Sequence, residues 1–256
     1  MESLRCIIFD VDGTLADTER DGHRVAFNRA FADAGLARRW DVATYGRLLA
    51  VTGGKERIRR DIADGGMPAM EEEEIARLHA AKTAHYQRLI AEGGIPLRPG
   101  VMRLLEESYR AGVRLAVATT TTPAALDALI AHVMGEEWFD RFEVLAAGDV
   151  VPAKKPAPDI YRYALERLGL PPEHALAVED SANGLRSARG AGLACVVTVN
   201  DYTRGQCFDG ADLVVSDLGE PDGPEVELLA DPHGLAPFHH VDLPLLRRLE
   251  GCHGAV

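Results

Sequence analysis

An α/β fold, with a Rossmann-like, doubly wound parallel sheet core and an inserted helical cap domain, is predicted by three observations. Short aliphatic runs recur, and several end on polar residues capable of chemistry. Helical patterns alternate with these runs. The alternation breaks once, between residues 18 and 95, where helices follow one another directly. Alternating strands and helices bury their apolar surfaces as a parallel sheet covered by helices.

Taken in order, the first strand reads at 4–9 and ends before Asp10. Its apolar residues show no alternation, the pattern of a strand buried on both faces. Helices are expected at 18–34, 43–49, 56–63 and 71–91. The last opens with Glu71, Glu72, Glu73 and Glu74 after Pro68, acidic residues that the helix dipole favours there and that read as a solvated first turn. The core resumes with a helix at 102–111 closed by Gly112, a strand at 113–118 before Thr119, and a helix at 124–133. A strand at 144–147, a helix at 158–168 closed by Gly169, and a strand at 175–178 before Glu179 come next. A helix at 181–191 and strands at 195–199 and 213–215 complete the pattern. From Gly219 the chain turns to Pro, Gly, Asp and His, with one short helix expected at 243–249. The expected division is a core of residues 1–17 and 96–256, with 219–256 as a peripheral tail, and a cap of residues 18–95 hinged near Asp17 and 96–100.

With 256 residues, 46% hydrophobic and 27% charged, the chain has the composition of an ordinary globular protein. A formal net charge of -12 argues against nucleic-acid binding through a broad basic face. No apolar stretch approaches the roughly 20 residues of a membrane-spanning helix, so no membrane partner is expected. Cys6, Cys195, Cys207 and Cys252 are scattered, and no signal peptide precedes the first apolar run. These features point to the cytoplasm, and none calls for an obligate protein partner. His239, His240 and His253 match no zinc-ligand spacing.

Ligands bind outside the carboxyl ends of strands in open α/β sheets, and Asp10, Thr119, Glu179 and Asp180 are all expected there. Asp10 and Asp12 flank Val11 ahead of Gly13 and Thr14, which permit a tight turn, so both carboxylates can face one crevice. A divalent cation there would keep Asp10 ionised and leave Asp12 as a proton donor and acceptor. Lys155, before Pro156, supplies a positive charge, and Thr119 a hydroxyl. Each residue has a plain structural reading as well: a turn for the Asp pair, a surface lysine, a helix cap for Asp180. Their order and common placement at strand ends favour the chemical reading.

The segments 9–15, 117–120, 155–159 and 178–184 resemble the four signature motifs of the haloacid dehalogenase superfamily, in that family's order. The resemblance implies a helical cap between the first two motifs and hydrolysis through an aspartyl-phosphate. Asp10 would be the nucleophile and Asp12 the acid and base, while Thr119 and Lys155 hold the phosphoryl oxygens. Mg2+ would be held by Asp10, the backbone carbonyl of Asp12 and the Asp180 carboxylate. Glu179 has two open roles: ligating the metal through a water, or orienting Lys155.

In the cap, Val51-Thr52-Gly53-Gly54-Lys55-Glu56-Arg57 pairs two glycines with basic residues at a helix start, a cradle for an anion. A flexible turn before a solvated helix is the alternative. Within the superfamily the chain is similar to the CbbY type, phosphatases of xylulose-1,5-bisphosphate tied to the Calvin cycle. This similarity rests on residues 17–23, Tyr45, the segment 52–57, Lys82 and the threonines 119–122. It implies that Glu19, His23, Tyr45, Gly53, Gly54, Lys55, Arg57, Lys82, Thr120 and Thr121 meet a small phosphorylated sugar. A β-phosphoglucomutase-like mutase is the nearest rival; a non-enzymatic phosphoacceptor domain is the rival of another class.

Overall fold

The computed structural model describes residues 4–51, 53–148 and 150–253, with side chains as far as 249. Thr52, part of the basic cap segment, lies outside the described residues, as does the side chain of His253. The chain forms two compact units, Met1–Asp17 with Pro96–Val256, and Thr18–Ile95.

The first unit is built on a seven-stranded sheet. Its strands are β1 (Cys6–Phe9), β2 (Arg114–Thr119), β3 (Phe142–Ala147), β4 (Ala175–Glu179), β5 (Ala194–Thr198), β6 (Leu213–Val215) and β7 (Leu228–Ala230). They lie in the order β3-β2-β1-β4-β5-β6-β7. The first six pair in parallel, and β7 joins β6 antiparallel. The centre of this order positions the site. On its two sides β1 pairs with β2 and β4, and Phe9 stands level with both Val117 and Val178. Asp10, Thr119 and Glu179 thus leave neighbouring strands at the same edge, where the strand order reverses.

All four β1 residues are fully buried, as a run without alternation requires. One sheet face, carrying Cys6, Ile8, Ala116, Ala118, Ala177, Cys195 and Val197, packs against Ile160, Tyr161, Ala164 and Leu165 of α8 (Asp159–Leu168) and against Leu185 and Ala188 of α9 (Ala182–Gly190). Gly169 ends α8 with φ 62°, a conformation that favours glycine. The helix expected over 124–133 is divided: α6 (Pro123–Leu129) passes into a wider π turn, Ile130–Met134.

The segment after Gly219 is not peripheral. Besides β7, its Val226, Leu235, Val241, Leu243, Leu245, Leu246 and Leu249 are buried. Arg103, on α5 (Val101–Arg110), donates to the carbonyls of Leu218, Gly219 and Val241. Its Pro and Gly content conceals scattered apolar anchors that follow no helical or strand period.

At the splice between the units, Ala16 and Leu97 form an antiparallel bridge, and Arg98 N donates to Leu15 O at 2.9 Å. The Arg98 guanidinium is buried. It donates to the carbonyls of Gly13 (2.5 Å), Thr198 (2.9 Å), Val199 (2.6 Å) and Ser216 (2.8 Å) and lies 3.4 Å from Asp17 Oδ1.

The second unit contains α1 (Arg24–Asp33), α2 (Val42–Leu48), α3 (Gly54–Ala63) and α4 (Glu72–Ala91). A π turn, Thr18–His23, precedes α1 where one continuous helix was expected. Phe27, Phe31, Trp40 and Tyr45 form its aromatic core, and Trp40 Nε1 donates to buried Asp61 at 2.7 Å. Glu71, where the helix was expected to open, caps α4 instead, its amide donating to the Glu74 carboxylate at 2.9 Å. Among the described residues, no helix is long and apolar enough to cross a membrane.

Candidate active site

Asp10 is 7% exposed at the end of β1, and its amide is tied to Val178 O at 3.0 Å. Lys155 reaches the same place from the loop before α8. Its ammonium donates to Asp10 Oδ1 (2.6 Å), Glu179 Oε1 (2.6 Å) and Ala118 O (2.8 Å). A lysine has three donors, and all three are engaged. Loops separated by more than 140 residues therefore meet at one nitrogen.

Asp180 is also buried. It accepts from Asn200 Nδ2 at 2.7 Å, and Asn200 also lies 3.4 Å from the Gly13 carbonyl. Gly13 has φ 89°, and a Cβ there would run into Asp180 and lie 2.6 Å from Asn200 Nδ2. A glycine is needed for both backbone and space. Thr119 is fully buried, its hydroxyl accepting from the Thr121 amide at 3.1 Å. The Thr121 hydroxyl donates to Asp12 Oδ2, so the structure places this side chain on the second carboxylate. Thr120 is exposed.

Burial is the main force on the charges. It pushes the Asp10 carboxyl from 3.8 to about 7, against the opposing pull of Lys155. It also holds Asp180 well above the ordinary carboxylate range, with Asp10 and Glu179 adding to the effect. Burial works against the Lys155 ammonium, but Asp10 and Glu179 outweigh it and keep its pKa above the ordinary value.

Asp10, Glu179 and Asp180 each offer a ligand atom, all within 4.8 Å of one another. Three buried carboxylates around one ammonium leave an excess of negative charge that a hard cation would relieve. An all-oxygen donor set suits Mg2+ rather than a softer metal. The residues present fit that ion.

In the helical unit, Tyr45 donates to Glu19 Oε2 at 2.5 Å, and Arg57 donates to Tyr45 Oη at 2.9 Å and Val51 O at 3.0 Å. Lys82, 8% exposed, lies 2.9 Å from His23 Nδ1 and 5.2 Å from the rings of Phe27 and Tyr86. Burial, then the charges of Lys82 and Arg57, hold the His23 imidazole well below its usual pKa, so the neutral ring accepts from Lys82. Gly53 has φ 100° and caps α3, where a Cβ would strike the Glu56 carboxylate. The glycine cradle expected for an anion thus lies beneath the helix's own acidic side chain. A Cβ on Gly54 would come within 2.5 Å of His79 Nε2. Lys55 is exposed.

Three residues at the core site were missed: Tyr161, Asn200 and Arg98. Tyr161 donates to Glu179 Oε1 at 2.5 Å. The sequence offers no signal for Asn200 or Arg98, whose partners are loops distant along the chain. Tyr161 reads simply as an apolar position of α8.

Residues 4–192 match the family model for a haloacid dehalogenase-like hydrolase. A CbbY protein of Cupriavidus necator is 46% identical over 248 residues, which cover 93% of this chain and 97% of the relative. A crystal structure of CbbY from Rhodobacter sphaeroides in complex with phosphate aligns with TM-score 0.74 and 51% identity, covering 86% of this chain and 97% of that one. A mutant (D10N) of that protein, in complex with xylulose-(1,5)bisphosphate, aligns with TM-score 0.74 and 50% identity at the same coverage.

Proposed function

The chain belongs to the haloacid dehalogenase-like hydrolases, and from that premise we propose that it is a magnesium-dependent phosphatase converting xylulose-1,5-bisphosphate to xylulose 5-phosphate. The observation that carries the reaction is the buried meeting of Asp10, Lys155, Glu179 and Asp180. Support for the substrate is the likeness to a CbbY protein whose mutant binds that bisphosphate.

A carboxylate oxygen of Asp10 attacks phosphorus, and the bond from phosphorus to the sugar oxygen breaks, giving an aspartyl-phosphate. Asp12, held by the Thr121 hydroxyl, gives its proton to the departing oxygen. It then takes a proton from the water that attacks phosphorus, and the bond to Asp10 breaks to release inorganic phosphate. Lys155 and Thr119 steady the equatorial phosphoryl oxygens. Asp10, Asp180 and the Asp12 carbonyl would hold Mg2+, with Glu179 beside them; the chemistry a bound ion supplies is neutralisation of charge on the transferring group. Glu19, His23, Tyr45, Arg57 and Lys82 recognise the sugar and its second phosphate.

Phosphate release from xylulose-1,5-bisphosphate, measured with magnesium and with a chelator, tests the reading. Glucose 1-phosphate supplied in parallel tests a mutase. Inactivity on every sugar bisphosphate would overturn the substrate, and efficient conversion to glucose 6-phosphate would make the chain a mutase.

A further inference from the structure

Tyr161 stands within the apolar packing between α8 and the sheet, and it is fully buried. A phenol hydroxyl in such a place is unfavourable unless it is hydrogen-bonded, and a phenylalanine would fill nearly the same volume without that demand. Core packing alone therefore does not explain the oxygen.

Its hydroxyl donates to Glu179 Oε1, at 2.5 Å, the oxygen that also accepts from Lys155 Nζ at 2.6 Å. A carboxylate oxygen has two lone pairs, and here both meet a donor. The other Glu179 oxygen lies against Gly184, where a Cβ would overlap it. Glu179 is thus confined on both sides. The Tyr161 ring meanwhile lies 5.0 Å from the Lys155 ammonium, close enough for the attraction between a cation and an aromatic face. One side chain touches both the lysine and the carboxylate that holds it.

We propose that Tyr161 is a positioning residue for phosphoryl transfer: its hydroxyl fixes Glu179 as the holder of Lys155, so that the ammonium stays aimed at Asp10. This rests on the phosphatase reading above and resolves the two roles left open for Glu179 in favour of orienting Lys155. Tyr161 touches no reacting atom.

The test uses the full chain, saturating magnesium and p-nitrophenyl phosphate, whose hydrolysis does not depend on which sugar is native. Y161F keeps the ring and removes the hydroxyl. Its kcat should fall about tenfold, the scale of a lost hydrogen bond to a charged group, with KM for the ester and half-saturating magnesium changed less than about twofold. In an E179Q background, the same substitution should lower kcat by less than about twofold further, because residues acting as a unit are not additive. Y161L, which also removes the ring from Lys155, should be slower than Y161F. A wild-type kcat in Y161F, a full and independent loss in the E179Q background, or a loss of thermal stability with kcat unchanged would each overturn the positioning role. Wild-type protein inactive on every phosphate ester would instead overturn the phosphatase reading beneath it.

Discussion

The side-chain amide of Asn200 donates to Asp180 Oδ2 at 2.7 Å and so orients a carboxylate of the proposed magnesium set. Groups that hold a ligand typically matter about 10- to 100-fold in metal affinity. Asn200→Ala should raise half-saturating magnesium by about tenfold or more on that basis, while KM at saturating metal changes little. A magnesium titration of phosphatase activity measures it, and an unchanged half-saturation would remove Asn200 from the account.

Burial raises Asp10 to about 7 and moves Asp180 the same way. Without metal, the native state therefore holds more protons than the unfolded chain from about pH 4 to 7, and stability falls as pH rises through that window. Melting temperatures measured in chelator should decline across this range. Asp10→Asn should flatten the decline while abolishing turnover, and magnesium should counter it by favouring the ionised carboxylates. A rise in stability with pH in chelator would contradict the assignment of these two groups.

Lys82 is nearly buried beside His23 and the rings of Phe27 and Tyr86, so Lys82→Met conserves most of its volume. If the ammonium meets the second phosphate, kcat/KM for xylulose-1,5-bisphosphate should drop about 10- to 100-fold, the range of a hydrogen bond between charged groups. Hydrolysis of p-nitrophenyl phosphate should stay within about twofold, since that ester has no second phosphate to lose. Equal losses on both esters would count against the recognition role.

Arg98 satisfies carbonyls from Gly13, Thr198, Val199 and Ser216 at once. Arg98→Met would remove the donor to these buried carbonyls and the ion pair with Asp17. Loss of such a buried partner is expected to lower stability by about 3–5 kcal/mol. Urea unfolding would register this as an earlier midpoint, and Arg98→Lys should recover only part because it lacks the fork. A midpoint equal to wild type would show that the loops hold without it.

The centre of the sheet was legible because β1, β2 and β4 are buried on both faces and carry their chemistry where the apolar pattern stops. The core motif residues could be named for the same reason, and the structure brings Asp10, Lys155, Glu179 and Asp180 together. What supports them was not legible. Asn200, Arg98 and Tyr161 act through contacts that reach 18 or more residues along the chain, which leave no period and no motif. The tail was misread because Leu228, Leu229 and Ala230 pair with β6 while remaining exposed, so β7 shows no buried face. The threonine run was ambiguous in a different way: Thr119, Thr120 and Thr121 are alike in sequence, and only the turn after β2 separates a buried hydroxyl, an exposed one and one bound to Asp12.

The bridge between Ala16 and Leu97 makes the helical unit a detachable cassette. The chain leaves and re-enters the sheet unit at adjacent points, so a short turn in place of residues 18–95 would close the backbone without stretching it. A chain shortened in this way should still unfold cooperatively in a calorimeter and bind magnesium, yet lose discrimination among phosphate esters. Recognition could then be exchanged by swapping cassettes, provided that the sheet unit keeps Arg98 just past the point where the chain returns.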